Sequence, residues 1–213
     1  MKNILCFGDS NTFGWDPASQ SRLTQYLRWP GVLAVKLGAG YHIVEEGCGG
    51  RTTVMDDGIE TFVSGVRYLE PCLRSHTPLD VVVIMLGTND LKIRYALSPQ
   101  DIANGMGILC SAVQTVLRFE QETPPRILVV SPIHIGEGID AIPDAYEMFG
   151  AAAREKSLRL AGVYQSTARR YGCDFFDAAK AAEPSPLDCI HLDADGHEAL
   201  GRAISVKILE MLN

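Results

Sequence analysis

The sequence predicts an α/β sandwich, a parallel sheet with helices on both faces, and three observations carry that prediction. Short apolar runs rich in β-branched residues alternate with longer helical patterns from one end of the chain to the other. One run, Val81 to Leu86, is apolar at every position, as a strand covered on both faces must be. Polar, glycine-containing clusters follow several runs directly, and a parallel sheet gathers its ligands at the carboxyl ends of its strands.

Taken in order, Ile4 to Phe7 reads as the first strand, closed by Gly8. Pro30 to Leu37 has the pattern of a helix that Gly38 stops, and Tyr41 to Glu45 follows as the second strand. Val81 to Leu86 is the third. Ile102 to Phe119 carries apolar residues at helical spacing until Pro124-Pro125 ends it, and Ile127 to Ser131 is the fourth strand. The stretch from Ile135 to Met148 holds Gly136, Gly138 and Pro143 and reads as a loop over the sheet edge. Cys173 to Phe176 makes the fifth strand. A last helix from about Asp195 to Leu212 sets Ala199, Leu200, Ala203, Ile204 and Ile208 on one stripe. With 213 residues and no linker, the expectation is a single domain over 1–213.

Composition excludes several function classes. A formal net charge of -7 opposes sequence-independent nucleic-acid binding, which needs clustered Lys and Arg against phosphate. No apolar stretch approaches the ~20 residues of a membrane helix, so no membrane span is expected. Met1-Lys2-Asn3 leads straight into the first strand without an export signal. The six cysteines lack C-x-x-C spacing and read as free thiols, which fits a cytoplasmic protein.

Four polar clusters stand after strands: Gly8-Asp9-Ser10-Asn11, Gly47-Cys48-Gly49-Gly50-Arg51-Thr52, Gly87-Thr88-Asn89-Asp90 and, after a short connection, Asp188-Cys189-Ile190-His191. They would meet on one rim and supply the parts of acyl transfer. A serine hydroxyl needs a base within hydrogen-bond reach and a third group that fixes the base's tautomer. Ser10 and His191 fit the first two roles. Asp188, three positions before His191, fits the third. Negative charge on the tetrahedral intermediate needs donors already in place, for which the Ser10 and Gly50 backbone N–H groups and the Asn89 amide are candidates.

These clusters resemble the four sequence blocks of the SGNH (GDSL-type) hydrolase superfamily, with Ser10, Gly50, Asn89 and His191 at the four naming positions. Asn11 replaces the usual leucine of the first block, and Gly49 stands where serine is common. Arg28-Trp29-Pro30-Gly31, Glu45-Glu46-Gly47, Arg51-Thr52-Thr53 and Ile84 to Asp90 are similar to the bacterial arylesterase and acyltransferase branch in order and spacing. That resemblance implies a flavodoxin-like five-stranded parallel sheet in a three-layer α/β/α sandwich. It also implies no cofactor, small acetyl-type or aryl ester substrates, acyl transfer to alcohols, and homo-oligomers, some of them octamers.

Competing readings attach to the same residues. Asp9 and Asp90 fit loop amides better than proton transfer. His197, with Asp193 or Asp195, competes with His191 for the base but falls in the first turn of the last helix, where packing is the simpler role. The His191 neighbourhood has no metal-ligand spacing, so no metal is expected there. Phe13, Trp15 and Ile133 are candidate pocket walls, and Arg51 reads either as a contact for a polar leaving group or, more simply, as an ion-pair partner of Glu45 or Asp56. Two rivals to the esterase remain open: a carbohydrate acetyl esterase on the same scaffold, and a flavodoxin-like FMN or phosphate-binding module using the Gly8 to Thr12 loop.

Overall fold

The structure, a computed structural model, describes residues 1–212. The chain runs β1 (Lys2–Gly8), α1 (Ser10–Phe13), β2 (Trp15–Asp16), β3 (Ser21–Arg22), α2 (Trp29–Leu37), β4 (Tyr41–Gly47) and α3 (Gly65–His76). It continues with β5 (Val81–Met85), α4 (Pro99–Glu120), β6 (Arg126–Ser131), α5 (Pro143–Phe149), α6 (Ala153–Arg170), β7 (Asp174–Asp177) and α7 (Ala194–Leu212). Five strands form a sheet in the order β4-β1-β5-β6-β7, parallel throughout, while β2 and β3 pair as a small antiparallel ribbon. The expected flavodoxin-like α/β sandwich is the one observed.

Alternation within the strands builds two cores. Leu5, Phe7, Val82, Ile84 and Val129 pack against α3, α4 and α6, whereas Ile4, Cys6, Val81, Val83 and Leu128 pack against α2 and α7. β5, central and buried at every position, accounts for its unbroken apolar run. Removing a side chain such as Leu86 from this interior costs about 2–5 kcal/mol.

Helix ends follow local chemistry. α4 begins at a capping box, in which the Ser98 hydroxyl accepts from the Asp101 amide and the Asp101 carboxylate accepts from the Ser98 amide. Gly38 ends α2 at a φ of 76°, a backbone that favours glycine.

Two sequence expectations change. The span from Ile135 to Met148 is not plain loop: a 3-10 turn covers Glu137–Ala141, and Pro143, at the first position of α5, starts a helix. The expectation that no segment is long and apolar enough to cross a membrane fails for α4. An 18-residue window within its 22 residues reaches a mean hydropathy of 1.2, although half of that window is buried within the fold. Its apolar stripe, including Ile102, Met106, Leu109 and Val113, belongs to the core.

Candidate active site

The carboxyl ends of β1, β4 and β5 open onto one rim, and each delivers a loop. After β1 the chain turns at once into α1, with Asp9 as its N-cap: Asp9 Oδ1 accepts from the Asn11 amide at 2.9 Å. Gly8 permits this tight turn, because a Cβ there would lie 2.0 Å from Thr12 Oγ1 and 2.8 Å from the Met85 carbonyl. The turn leaves Ser10 at the first position of α1, partly open to solvent.

From the other end of the chain, the loop before α7 brings the base. His191 Nε2 lies 2.8 Å from Ser10 Oγ, and His191 Nδ1 lies 2.6 Å from Asp188 Oδ2. Asp188 Oδ1 accepts the amides of Ile190 and His191, each at 2.9 Å, so the carboxylate fixes loop and ring together. Burial alone would raise the Asp188 carboxyl. The hydrogen bond and charge of His191 and the two loop amides outweigh it, holding the group below its ordinary value and thus ionised. A carboxylate on Nδ1 leaves Nε2 free to take a proton from Ser10.

Asn11, noted in the sequence only as a departure from leucine, ties these two loops. Its side-chain amide donates to the Ile190 carbonyl at 3.3 Å and its oxygen accepts the Leu192 amide at 2.9 Å. The residue next to the serine therefore holds the backbone on both sides of His191. A leucine has neither group.

The donor side is stitched in the same manner. Asn89 is almost fully buried, and one of its amide hydrogens goes to the Arg51 carbonyl at 3.2 Å, leaving the other for a ligand. Gly50 adopts a φ of +77°, and a Cβ there would come 2.6 Å from Glu60 Oε2. The Glu60 carboxylate is itself neutralised by Lys92 at 2.8 Å and Arg94 at 2.6 Å. Asp90 accepts the Thr53 amide at 2.9 Å, which joins the β4 loop to the β5 loop.

Asp9 and Asp90 are thus structural, as the sequence suggested. Burial pushes both carboxyls up to about 6. Arg51 does not form the expected ion pair. Glu45 is held by Arg28 at 2.8 Å and Asp56 by Arg67 at 2.5 Å. The buried Arg51 guanidinium donates instead to the carbonyls of Gly8, at 2.8 Å, and Glu46, bracing the ends of β1 and β4.

Of the three pocket candidates, Trp15 stands beside the base, its ring centroid 6.4 Å from that of His191. Phe13 lies beneath the Arg22 guanidinium, 4.2 Å from its ring centre. Ile133, by contrast, is only 3 % exposed and packs in the core on the α2 and α7 face, so it is a core residue first. His197 is fully buried and accepts the Trp29 amide on Nδ1 at 3.2 Å. It packs, as its position in α7 implied. A cavity of about 830 Å³ around Asn3, Pro78, Asp80 and Gln121 lies at the amino ends of the strands, away from Ser10.

The phosphate-cradle reading of the first loop meets a physical obstacle. The Asn11 amide is taken by Asp9, and the buried Asp9 carboxyl stands where a phosphate would bring more negative charge.

A serine, a histidine and a carboxylate in one hydrogen-bonded line, carried on a parallel α/β sheet without a Gly-x-Ser-x-Gly elbow, point to the serine-type carboxylic ester hydrolases. Residues 6–199 match the GDSL-like lipase/acylhydrolase family, and the chain belongs to that family. It is similar to a carbohydrate acetylesterase from Sinorhizobium meliloti at 41% identity and a TM-score of 0.92, covering 99% of this chain and 100% of that one. A second carbohydrate acetylesterase family member from Sinorhizobium meliloti is 37% identical, with a TM-score of 0.94 over 100% of this chain and 99% of that one. The M. smegmatis aryl esterase is also 37% identical, with a TM-score of 0.92 and 99% of both chains covered. None of the curated proteins matches the chain. Family and structural relatives together make it a carboxylic ester hydrolase.

Proposed function

We propose that the protein hydrolyses small acetyl-type or aryl esters through an acyl-enzyme on Ser10. His191 takes the serine proton as the hydroxyl attacks, and Asp188 holds the imidazole in the tautomer that accepts it. Ser10 and Gly50 amides and the Asn89 side chain meet the oxyanion. His191 then returns its proton to the leaving alkoxide, and water repeats the sequence to release the acid. The single observation behind this reading is the unbroken line from Asp188 through His191 to Ser10, with a contact of 2.6 Å between residues three positions apart and one of 2.8 Å between residues 181 positions apart.

The same reading takes the chain as one domain over 1–213 that works without a cofactor, in the cytoplasm, apart from membranes and nucleic acids. Six free cysteines and a net charge of -7 support the compartment and the lack of polyanionic partners. Homo-oligomers and acyl transfer to alcohols rest on the resemblance to the arylesterase and acyltransferase branch. Sugar acetates enter as substrates because two relatives are carbohydrate acetylesterases.

The test is a panel of p-nitrophenyl acetate, butyrate and longer esters with acetylated sugars, run beside Ser10→Ala. Turnover should be highest for the short acyl chains, and the variant should lose it by a factor on the order of 10⁴ or more. A folded Ser10→Ala protein with near-normal turnover overturns the acyl-enzyme. Sugar acetates outpacing aryl acetates in kcat/KM would move the substrate class to carbohydrates.

A further inference from the structure

Where α3 covers the edge strand β4, the two elements bring together a second cluster of reactive side chains that the ester chemistry does not use. β4 is an edge strand, and Glu46 near its end stands in register with Phe7, whose face of the sheet is covered by α3. Cys72 and His76 lie four residues apart on α3, so one helical turn sets their side chains on the same face. The helix is packed so that this face meets Glu46. His76 Nε2 is 2.9 Å from Glu46 Oε1, and a carboxylate oxygen, the Cys72 sulfur and a His76 nitrogen all fall within 4.8 Å of one another.

The geometry points to a divalent metal site of the zinc type at Glu46, Cys72 and His76. Thiolate, imidazole and carboxylate are the three donors that Zn²⁺ takes, at about 2.3 Å for sulfur and about 2.0–2.2 Å for nitrogen and oxygen. An ion at those distances fits among atoms no more than 4.8 Å apart after small side-chain rotations. Hard ions such as Mg²⁺ and Ca²⁺ are disfavoured, because two of the three donors are sulfur and nitrogen.

Access and charge fit as well. The Cys72 side chain is buried, whereas His76 and Glu46 keep 30% and 19% of their side-chain surface, so an ion enters from the solvent side. Water completes the fourth position there. Binding replaces the Cys72 thiol proton, which leaves to solvent, and the thiolate with the Glu46 carboxylate balances the two charges of the ion. The nearest cation, Arg51, lies over the rings of Phe7 and Tyr68 and directs its donors to the Gly8 and Glu46 carbonyls. Its charge is present with or without the ion. The bound ion would pin α3 to the free edge of the sheet.

Cobalt(II) titration of the untagged, chelator-treated full chain tests this without relying on esterase activity. One equivalent should bind with a sulfur-to-cobalt charge-transfer band and the intense visible bands of a four-coordinate ion, and Zn²⁺ should displace it. Cys72→Ser should abolish the charge-transfer band, and His76→Gln, which lies at a partly exposed helix end, should weaken binding at least about a hundredfold. Cys48→Ala removes the other thiol of this region and should change nothing. A wild-type spectrum without the band, or a band lost in Cys48→Ala and kept in His76→Gln, overturns the site. In that case the Glu46–His76 contact is a hydrogen bond joining helix to strand and no more.

Discussion

Two histidines six positions apart meet opposite fates in this molecule. His191 sits in a loop, partly open, with a carboxylate on one ring nitrogen and a serine hydroxyl on the other. His197 is wholly buried in the first turns of α7, accepts the Trp29 amide on Nδ1, and has no partner for Nε2 among the described residues. Burial pushes its imidazole down to about 4. A base that must gain and lose a proton in each cycle needs an anion to stabilise the cation it becomes and room for that charge. His191 has both, whereas His197 has no carboxylate hydrogen-bonded to it, only the through-space pull of Asp193 and Asp16, and burial leaves its charge no room. Residue type made them rivals in the sequence, and environment separates them.

The sharpest way to break this comparison is to exchange the losses. His191→Ala should lower kcat by a factor on the order of 10⁴ or more with the fold intact, measured on p-nitrophenyl acetate. His197→Asn, whose Oδ1 still accepts the Trp29 amide, should leave kcat within about twofold, since a buried packing residue adds no term to the transition state. If the two variants lose comparable rate while circular dichroism stays native, the assignment of the base to His191 is wrong.

A smaller effect sharpens the account of how His191 is held. Asn11→Ala removes both hydrogen bonds that bracket the histidine and leaves the Ile190 carbonyl and Leu192 amide without side-chain partners. Displacement of a catalytic base by an ångström costs about 10²-fold in rate, so kcat should fall by that order. KM for a small ester should change little, because Asn11 is buried and faces the loop. A rise in KM with kcat unchanged would assign Asn11 to the substrate pocket instead.

The sequence carried the sheet because its central strands are largely apolar, as Val81–Met85 shows, and parallel strands leave few other places for such runs, while the edge strands β4 and β7 keep only short apolar cores between polar or charged residues. α4 and α7 were legible through their apolar stripes. α3 was not, since Pro71 interrupts it and only Leu69, Cys72 and Leu73 bury their side chains beyond the first residue. At the site, the order of the four polar clusters after strands was enough to nominate the residues that now line one rim. Contacts across the chain were invisible. Nothing local to Asn11 says that it grips residues 190 and 192, and nothing local to Arg51 says that its partners are carbonyls rather than Glu45 or Asp56. Glu46 likewise meets His76 only because a strand edge and a helix thirty residues apart are packed together.

His197 makes a separate prediction on stability, and its sign follows from where the proton binds. The folded imidazole titrates at about 4 and the ordinary value is 6.5, so the unfolded chain takes the proton first. Above pH 6.5 both states are neutral and the native state keeps its full margin. As pH falls through 6.5 toward 4, the unfolded state alone is protonated, and this residue costs up to about 3 kcal/mol. Asp9 and Asp90 act the other way. Their folded carboxyls titrate at about 6 against 3.8, so the burden of burying their charge is relieved as pH falls through the same range. Absolute stability against pH therefore mixes opposing terms, while the difference between wild type and His197→Asn isolates the histidine. Urea unfolding at pH 7.5 and pH 4 should show that difference shifting by about 3 kcal/mol in favour of the variant at the lower pH. An unchanged difference would mean that the His197 site admits a proton as readily as water does, and the contrast with His191 would then rest on geometry alone.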